Sequence, residues 1–284
     1  MAGGLGRENK LINVHFYKPT GFTSQSPLLI VIPGAGRNSD DYRNAWLEVA
    51  CRKGILVAAL GYPEETYNFA AYQMGGVVKD LMLNNPKFVR TGPNARILRL
   101  RDEDIQMRPE PDSNNWIFFD FDRVFDLLVK ITGSKRSGYD IFGHSAGGQV
   151  LHRLALFHPD SKADRIVAAN AGFYTLPSLP EPPPSGMMGT GIDKEQLANI
   201  LSAPLTILLG EEDNSDAAGG TLLHTPVIDK QGPNRLARGR NFFRTGSNLA
   251  KAEKLKFGWK LQTVPRTGHD FVAMTNAAAR LLYP

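Results

Sequence analysis

One cysteine in 284 residues, Cys51, is too few for an intramolecular disulfide, and without a cysteine cluster there is no zinc-site spacing. Long hydrophobic runs are missing too: nothing approaches the roughly 18 apolar residues of a membrane span. Met1-Ala2-Gly3-Gly4 has neither the charged nor the apolar region of a signal peptide. These absences predict a soluble chain with no membrane span, either cytoplasmic or, if a leader has been removed, secreted or periplasmic. No internal repeat is present. What remains is globular material: 42% hydrophobic residues in a chain of 284 can bury a sizeable core, read most simply as one domain over 1–284. Cys51 is expected to be buried in its first helix.

Short β-branched or leucine-rich runs at Leu11 to Tyr17, Leu28 to Ile32, Ile55 to Leu60, Tyr139 to Phe142, Arg165 to Ala169, Leu205 to Leu209 and Trp259 to Val264 alternate with helical stretches. Strand alternating with helix predicts an α/β fold with a parallel sheet. Several runs are apolar at successive positions, as strands covered on both faces must be. Ligands of such sheets bind beyond the strands' C-terminal ends, so chemistry is expected in the segments that follow the runs.

Four of those segments are unusual. After Tyr139 to Phe142 comes Gly143-His144-Ser145-Ala146-Gly147-Gly148, then a helix to His158. A strand that feeds a serine with small neighbours into a helix has the layout of a nucleophile elbow, which leaves the hydroxyl exposed above the sheet; the bland alternative is a serine that caps the helix. After Leu28 to Ile32 comes Pro33-Gly34-Ala35-Gly36, a loop able to offer bare N–H groups, with Ser39 and Asp40 reading as caps of a helix through Ala50. Ala35, and Ala146 at the start of the elbow helix, are the candidate donors to an oxyanion. After Leu205 to Leu209 comes an acidic cluster in which Asp213 is the candidate to orient a histidine, with Asp216 and Glu212 as rivals. After Trp259 to Val264 comes Thr267-Gly268-His269-Asp270. Of six histidines only His269 lies in such a loop near the C-terminus, which makes it the candidate base.

The elbow, the glycine loop and the order Ser145, Asp213, His269 together resemble the α/β-hydrolase superfamily over nearly the whole chain. Within it, Pro33-Gly34-Ala35-Gly36-Arg37-Asn38 and Gly143 to Gly148 are similar to bacterial esterases and depolymerases related to polyhydroxybutyrate depolymerases and feruloyl esterases. The resemblance implies a mostly parallel eight-stranded sheet flanked by helices, an acyl-enzyme on Ser145, Asp213 as acid and His269 as base. Such a mechanism needs no metal or organic cofactor. Pro33 stands where many relatives have histidine, which leaves the second oxyanion donor open among Gly34, Ala35 and Gly36.

Two stretches break the alternation and are expected to form loop-rich cap insertions facing substrate. One spans about 83–115, rich in Arg, Asn, Pro and acids, before a helix from Trp116 to Ile131; the other spans 177–190 and its prolines forbid helix. Phe173 and Tyr174, just before the second, are candidate walls of an acyl pocket, and Arg37 is a further candidate substrate contact. The net charge is +5, and the excess is local: nine basic residues against one acid between Lys230 and Lys260. A solvated helix face is the usual meaning of such a run, but Arg235 and Arg238 are also candidates to pair with carboxylates of a substrate. No recognised nucleic-acid motif accompanies the charge. The expected function is a serine esterase or polymer depolymerase acting on a carboxylic ester. An amidase of an anionic polymer such as poly(aspartic acid) is the alternative within hydrolases, and a catalytically silent binding protein on the same fold is the alternative outside them. The sequence says nothing of oligomeric state.

Overall fold

The computed structural model describes residues 1–4 and 7–284. In chain order the strands are β1 (Asn13–Tyr17), β2 (Leu28–Ile32), β3 (Leu56–Gly61), β4 (Val78–Leu83), β5 (Lys87–Gly92), β6 (Ala95–Arg99), β7 (Ile105–Pro109), β8 (Tyr139–His144), β9 (Ala163–Ala169), β10 (Leu205–Gly210), β11 (Gly220–His224) and β12 (Lys260–Val264). The helices are α1 (Ser39–Ala45), α2 (Leu47–Lys53), α3 (Phe69–Tyr72), α4 (Phe118–Thr132), α5 (Ala146–Phe157), α6 (Leu197–Ser202), α7 (Pro226–Asp229), α8 (Arg235–Glu253) and α9 (Phe271–Leu282).

The main sheet runs β1-β3-β2-β8-β9-β10-β12, parallel throughout except for β1, which pairs antiparallel with β3 at the edge. Its strands are the seven runs read from the sequence. The expected eighth strand is not among the described residues of this sheet, because the remaining β-prone segments are taken up by two smaller sheets, β11-β6-β5 and β4-β7.

Period-two alternation explains the layering. In β2, Leu28, Ile30 and Ile32 join a core with α4, α5, α6 and α8, whereas Leu29 and Val31 join a second core with α1, α2 and α9. Both sets are buried, so a run of five apolar residues is what a doubly covered strand requires. In α4 the buried Phe118, Phe121, Val124, Phe125 and Leu128 recur at helical spacing and give it one apolar stripe. Helix α5, directly behind the elbow, is buried along its whole length.

Three local expectations are corrected. The helix expected through Ala50 is broken at Trp46 into α1 and α2, and Ser39 lies inside its first turn rather than capping it. Cys51 is exposed, since Val49 and Ala50 occupy the inward positions of α2. The first insertion is built of strands, not loops: β4 pairs with β7, and β5 with β6 across a turn at Pro93 and Asn94, with β11 adding to the far edge. Segment 177–190 contains neither helix nor strand, as its prolines predict, but it is held by Leu176 N–H to Ser185 O and Met187 N–H to Ser178 O and buries Met187. Among the described residues no helix is long and apolar enough to cross a membrane.

Candidate active site

Ser145 occupies the corner between β8 and α5 with φ 58° and ψ −115°, a backbone state that costs a serine energy and persists only where the surroundings impose it. The imposition is visible. Ser145 N–H donates to Ala169 O at 2.9 Å. A Cβ on Gly147 would lie 2.0 Å from Ile32 O, and one on Gly143 would lie 2.5 Å from Gly147 O. The glycines therefore let α5 start against the end of β2, and the serine hydroxyl is left at the strand ends.

Strand ends bring the other two residues to it. His269, on the loop after β12, accepts the Ser145 hydroxyl at Nε2 over 2.9 Å, and its Nδ1–H donates to Asp213 Oδ2 over 2.7 Å. Asp213 follows β10 and is 1% exposed. Asn170, at the end of β9, stitches these loops together: it accepts Gly210 N–H at 2.8 Å and donates to Gly268 O at 3.0 Å. The rivals of Asp213 lie elsewhere. Asp216 pairs with His224 at 3.1 Å, and Glu212 is exposed.

Arg235 completes the support of the acid. Its guanidinium donates to Asp213 Oδ1 at 3.0 Å and to Thr221 O at 3.0 Å, so each Asp213 oxygen has its own partner. Burial alone would raise the Asp213 carboxyl, but the hydrogen bond and charge of His269, with those of Arg235, hold it below the usual carboxylate value. His269 is lowered from the ordinary histidine value by burial and by the charge of Arg235, against the opposing pull of Asp213. The imidazole is thus kept neutral around pH 7, the form in which a histidine can accept a proton. His144 packs its ring 4.6 Å from that of His269; burial, with the charges of His269 and Arg235, drives it well below the ordinary value. Its Nδ1 meets the Tyr42 hydroxyl at 3.0 Å.

The glycine loop lies beside the serine, since a Cβ on Gly34 would be 3.5 Å from Ser145 Cβ. The Tyr42 hydroxyl packs against Gly34, 2.9 Å from where a Cβ would sit. Among the described residues, the N–H groups of Ala35, Gly36 and Ala146 have no acceptor. Ala35 and Ala146 are therefore both available, at a loop and a helix start next to Ser145.

Of the expected substrate contacts, Arg37 and Phe173 line the cleft, which has a volume of about 1040 Å³ and is also walled by the first insertion. Arg37 gives its terminal nitrogens to Tyr62 O and Tyr67 O and stacks 3.7 Å from the Tyr72 ring centre, so it braces the glycine loop. Tyr174, Arg235 and Arg238 do not line the cleft. Tyr174 is buried against Phe242 and His152. Arg238 is fully buried and donates to Gly232 O, Gly172 O and Asp229. The reason is helical geometry: Arg235, Arg238, Phe242, Gly246 and Ala250 fall on the inward stripe of α8. That stripe was the available signal that these arginines are structural, whereas Asn170 carried none.

No protein-family model matches the chain, and no curated protein matches it in sequence. Solved structures do. Poly(aspartic acid) hydrolase-1 from Sphingomonas sp. KT-1 is 33% identical with a TM-score of 0.82, covering 100% of both chains. LpqC, a poly(3-hydroxybutyrate) depolymerase from Bordetella parapertussis, is 30% identical with a TM-score of 0.81 over 97% of this chain and 86% of its own. Siderophore hydrolase EstA from Aspergillus nidulans, 12% identical at a TM-score of 0.53 over 99% of this chain and 93% of its own, shares the fold. At such identity to two hydrolases over nearly its full length, the chain belongs to the α/β-hydrolase superfamily and is a hydrolase.

Proposed function

We propose that the protein is a serine esterase that cleaves a carboxylic ester through an acyl-enzyme on Ser145. The observation that carries this is the unbroken relay of Ser145 Oγ to His269 Nε2 at 2.9 Å and His269 Nδ1 to Asp213 Oδ2 at 2.7 Å, with the serine held at φ 58°. His269 takes the hydroxyl proton as Oγ attacks the carbonyl carbon, and Asp213 fixes the imidazole tautomer and stabilises the imidazolium that forms. The N–H groups of Ala35 and Ala146 receive the oxyanion, each donor being worth on the order of 10²- to 10³-fold in rate. His269 then gives its proton to the leaving alkoxide, and a water activated by the same imidazole releases the acid and restores Ser145. The intact relay of all three side chains supports this reading over a silent binding protein.

A second reading, cleavage of amides in an anionic polymer, is favoured by the 33% identity to poly(aspartic acid) hydrolase-1. The arginines read from the sequence as its cations, Arg235 and Arg238, are buried away from the cleft and lend it no support. Replacing Ser145 with alanine should reduce ester turnover by roughly 10⁴-fold or more while circular dichroism and melting temperature stay unchanged. Full activity in that variant would contradict the proposal.

A further inference from the structure

The small sheet β11-β6-β5 stands on the histidine side of the cleft. Gly220 opens β11 so close to His269 that a Cβ there would be 3.1 Å from the imidazole Cδ2. Because His269 delivers a proton to the leaving group, the surface that begins at Gly220 is the one along which the leaving group must lie. This rests on the proposed ester chemistry at Ser145.

Strand register divides that surface into two rows. Thr221 pairs with Arg96 and Arg96 with Arg90; Leu223 pairs with Leu98 and Leu98 with Phe88. All six line the cleft, as side chains two residues apart on one pleat face should. One row is cationic beyond Thr221, and its neighbour is apolar.

The cationic row is unusual in two respects. Arg90 and Arg96 are directly opposed across an antiparallel pair, an arrangement that destabilises a sheet unless something neutralises it. Among the described residues neither has a carboxylate partner; the one acid lining the cleft, Glu64, acts on Arg37. Both guanidinium groups are nevertheless held. Arg96 Nε donates to Thr221 Oγ1 at 2.8 Å with its guanidinium 5.1 Å from the Phe88 ring centre, and Arg90 donates to Gly92 O and Pro93 O at 3.1 and 3.0 Å. Each keeps terminal N–H groups free of those bonds.

We infer that this sheet face is a leaving-group subsite for an alcohol with an apolar body and a carboxylate, the body lying on Leu223, Leu98 and Phe88 and the carboxylate between Arg96 and Arg90. Strands are about 4.8 Å apart, so β5 lies about 10 Å from the strand beside His269, a span suited to a chain of roughly six to eight carbons. The acyl half of the substrate is bound elsewhere, which makes the alcohol the part this insertion selects.

The test holds the acyl group constant and varies the alcohol. Initial rates are measured for the butyrate esters of octanol, ω-hydroxyoctanoate and ω-hydroxyoctanamide with the wild type, the Arg90→Gln/Arg96→Gln double variant, and Lys87→Gln, which removes a charge from the opposite face of β5. The wild type should favour the carboxylate over both neutral esters by roughly tenfold in kcat/KM. The double variant should lose that preference, and Lys87→Gln should keep it. Equal turnover of all three esters by the wild type, or a preference that survives in the double variant, would overturn the subsite alone. Turnover of none of them would overturn the ester chemistry on which it rests.

Discussion

Arg235 and Arg238 lie beneath the site, and Arg90 and Arg96 lie in front of it. The first pair, on α8, is buried, and each member holds an aspartate, Asp213 or Asp229. The second pair, on β5 and β6, faces the cleft with no carboxylate partner among the described residues. Two members of the denser basic run are thus structural, while its other seven basic residues are exposed, as on a solvated face. Position on a helix stripe or a strand pleat decides what an arginine does, and local charge excess does not.

That contrast is sharpest in stability. Arg238→Ala removes a buried cation that ties Gly232, Gly172 and Asp229. Because Asp229 is partly solvated, the expected loss is about 2–3 kcal/mol rather than the full cost of a broken buried pair. Urea denaturation measures it, and an unchanged midpoint would show that Arg238 carries no structural burden.

Arg235→Gln should act on both stability and chemistry. Burial and the Arg235 charge both lower His269. Removing the charge raises the imidazole pKa, so the imidazolium persists to higher pH and the acid limb of the kcat/KM profile moves upward. A loss of roughly tenfold near neutral pH accompanies it, since Asp213 loses one of its two partners. An acid limb that stays in place would mean that Arg235 does not act on the base.

The smallest effect on folding belongs to the cleft pair. Arg90→Gln with Arg96→Gln should change unfolding free energy by less than about 0.5 kcal/mol, in the stabilising direction if relief of the opposed charges dominates. A loss as large as that of Arg238→Ala would erase the distinction between the two pairs.

The sequence made the main sheet legible because its central strands are covered on both faces. Runs such as Leu28 to Ile32 and Leu205 to Leu209 leave no other economical packing, and all seven became strands. The meeting of the candidate site residues was legible for a related reason: Ser145, Asp213 and His269 follow three of those runs, and the parallel sheet carries them to one edge. Arg235 and Tyr174 were misjudged because both lie near the cleft in the chain but point into the core, a matter of helical phase and of packing against Phe242. The insertion was misread as loop because charged residues interrupt each of its strands and leave no continuous apolar run. Its third strand, β11, comes from residues more than a hundred positions away, and no local pattern reports such a pairing.

The central claim is that Ser145 is an activated nucleophile, and intact-mass spectrometry after fluorophosphonate treatment, with Ser145→Ala alongside, tests it most directly. A single adduct on the wild type and none on the variant is the predicted result. An unmodified wild type, or an adduct that persists in Ser145→Ala, would contradict it.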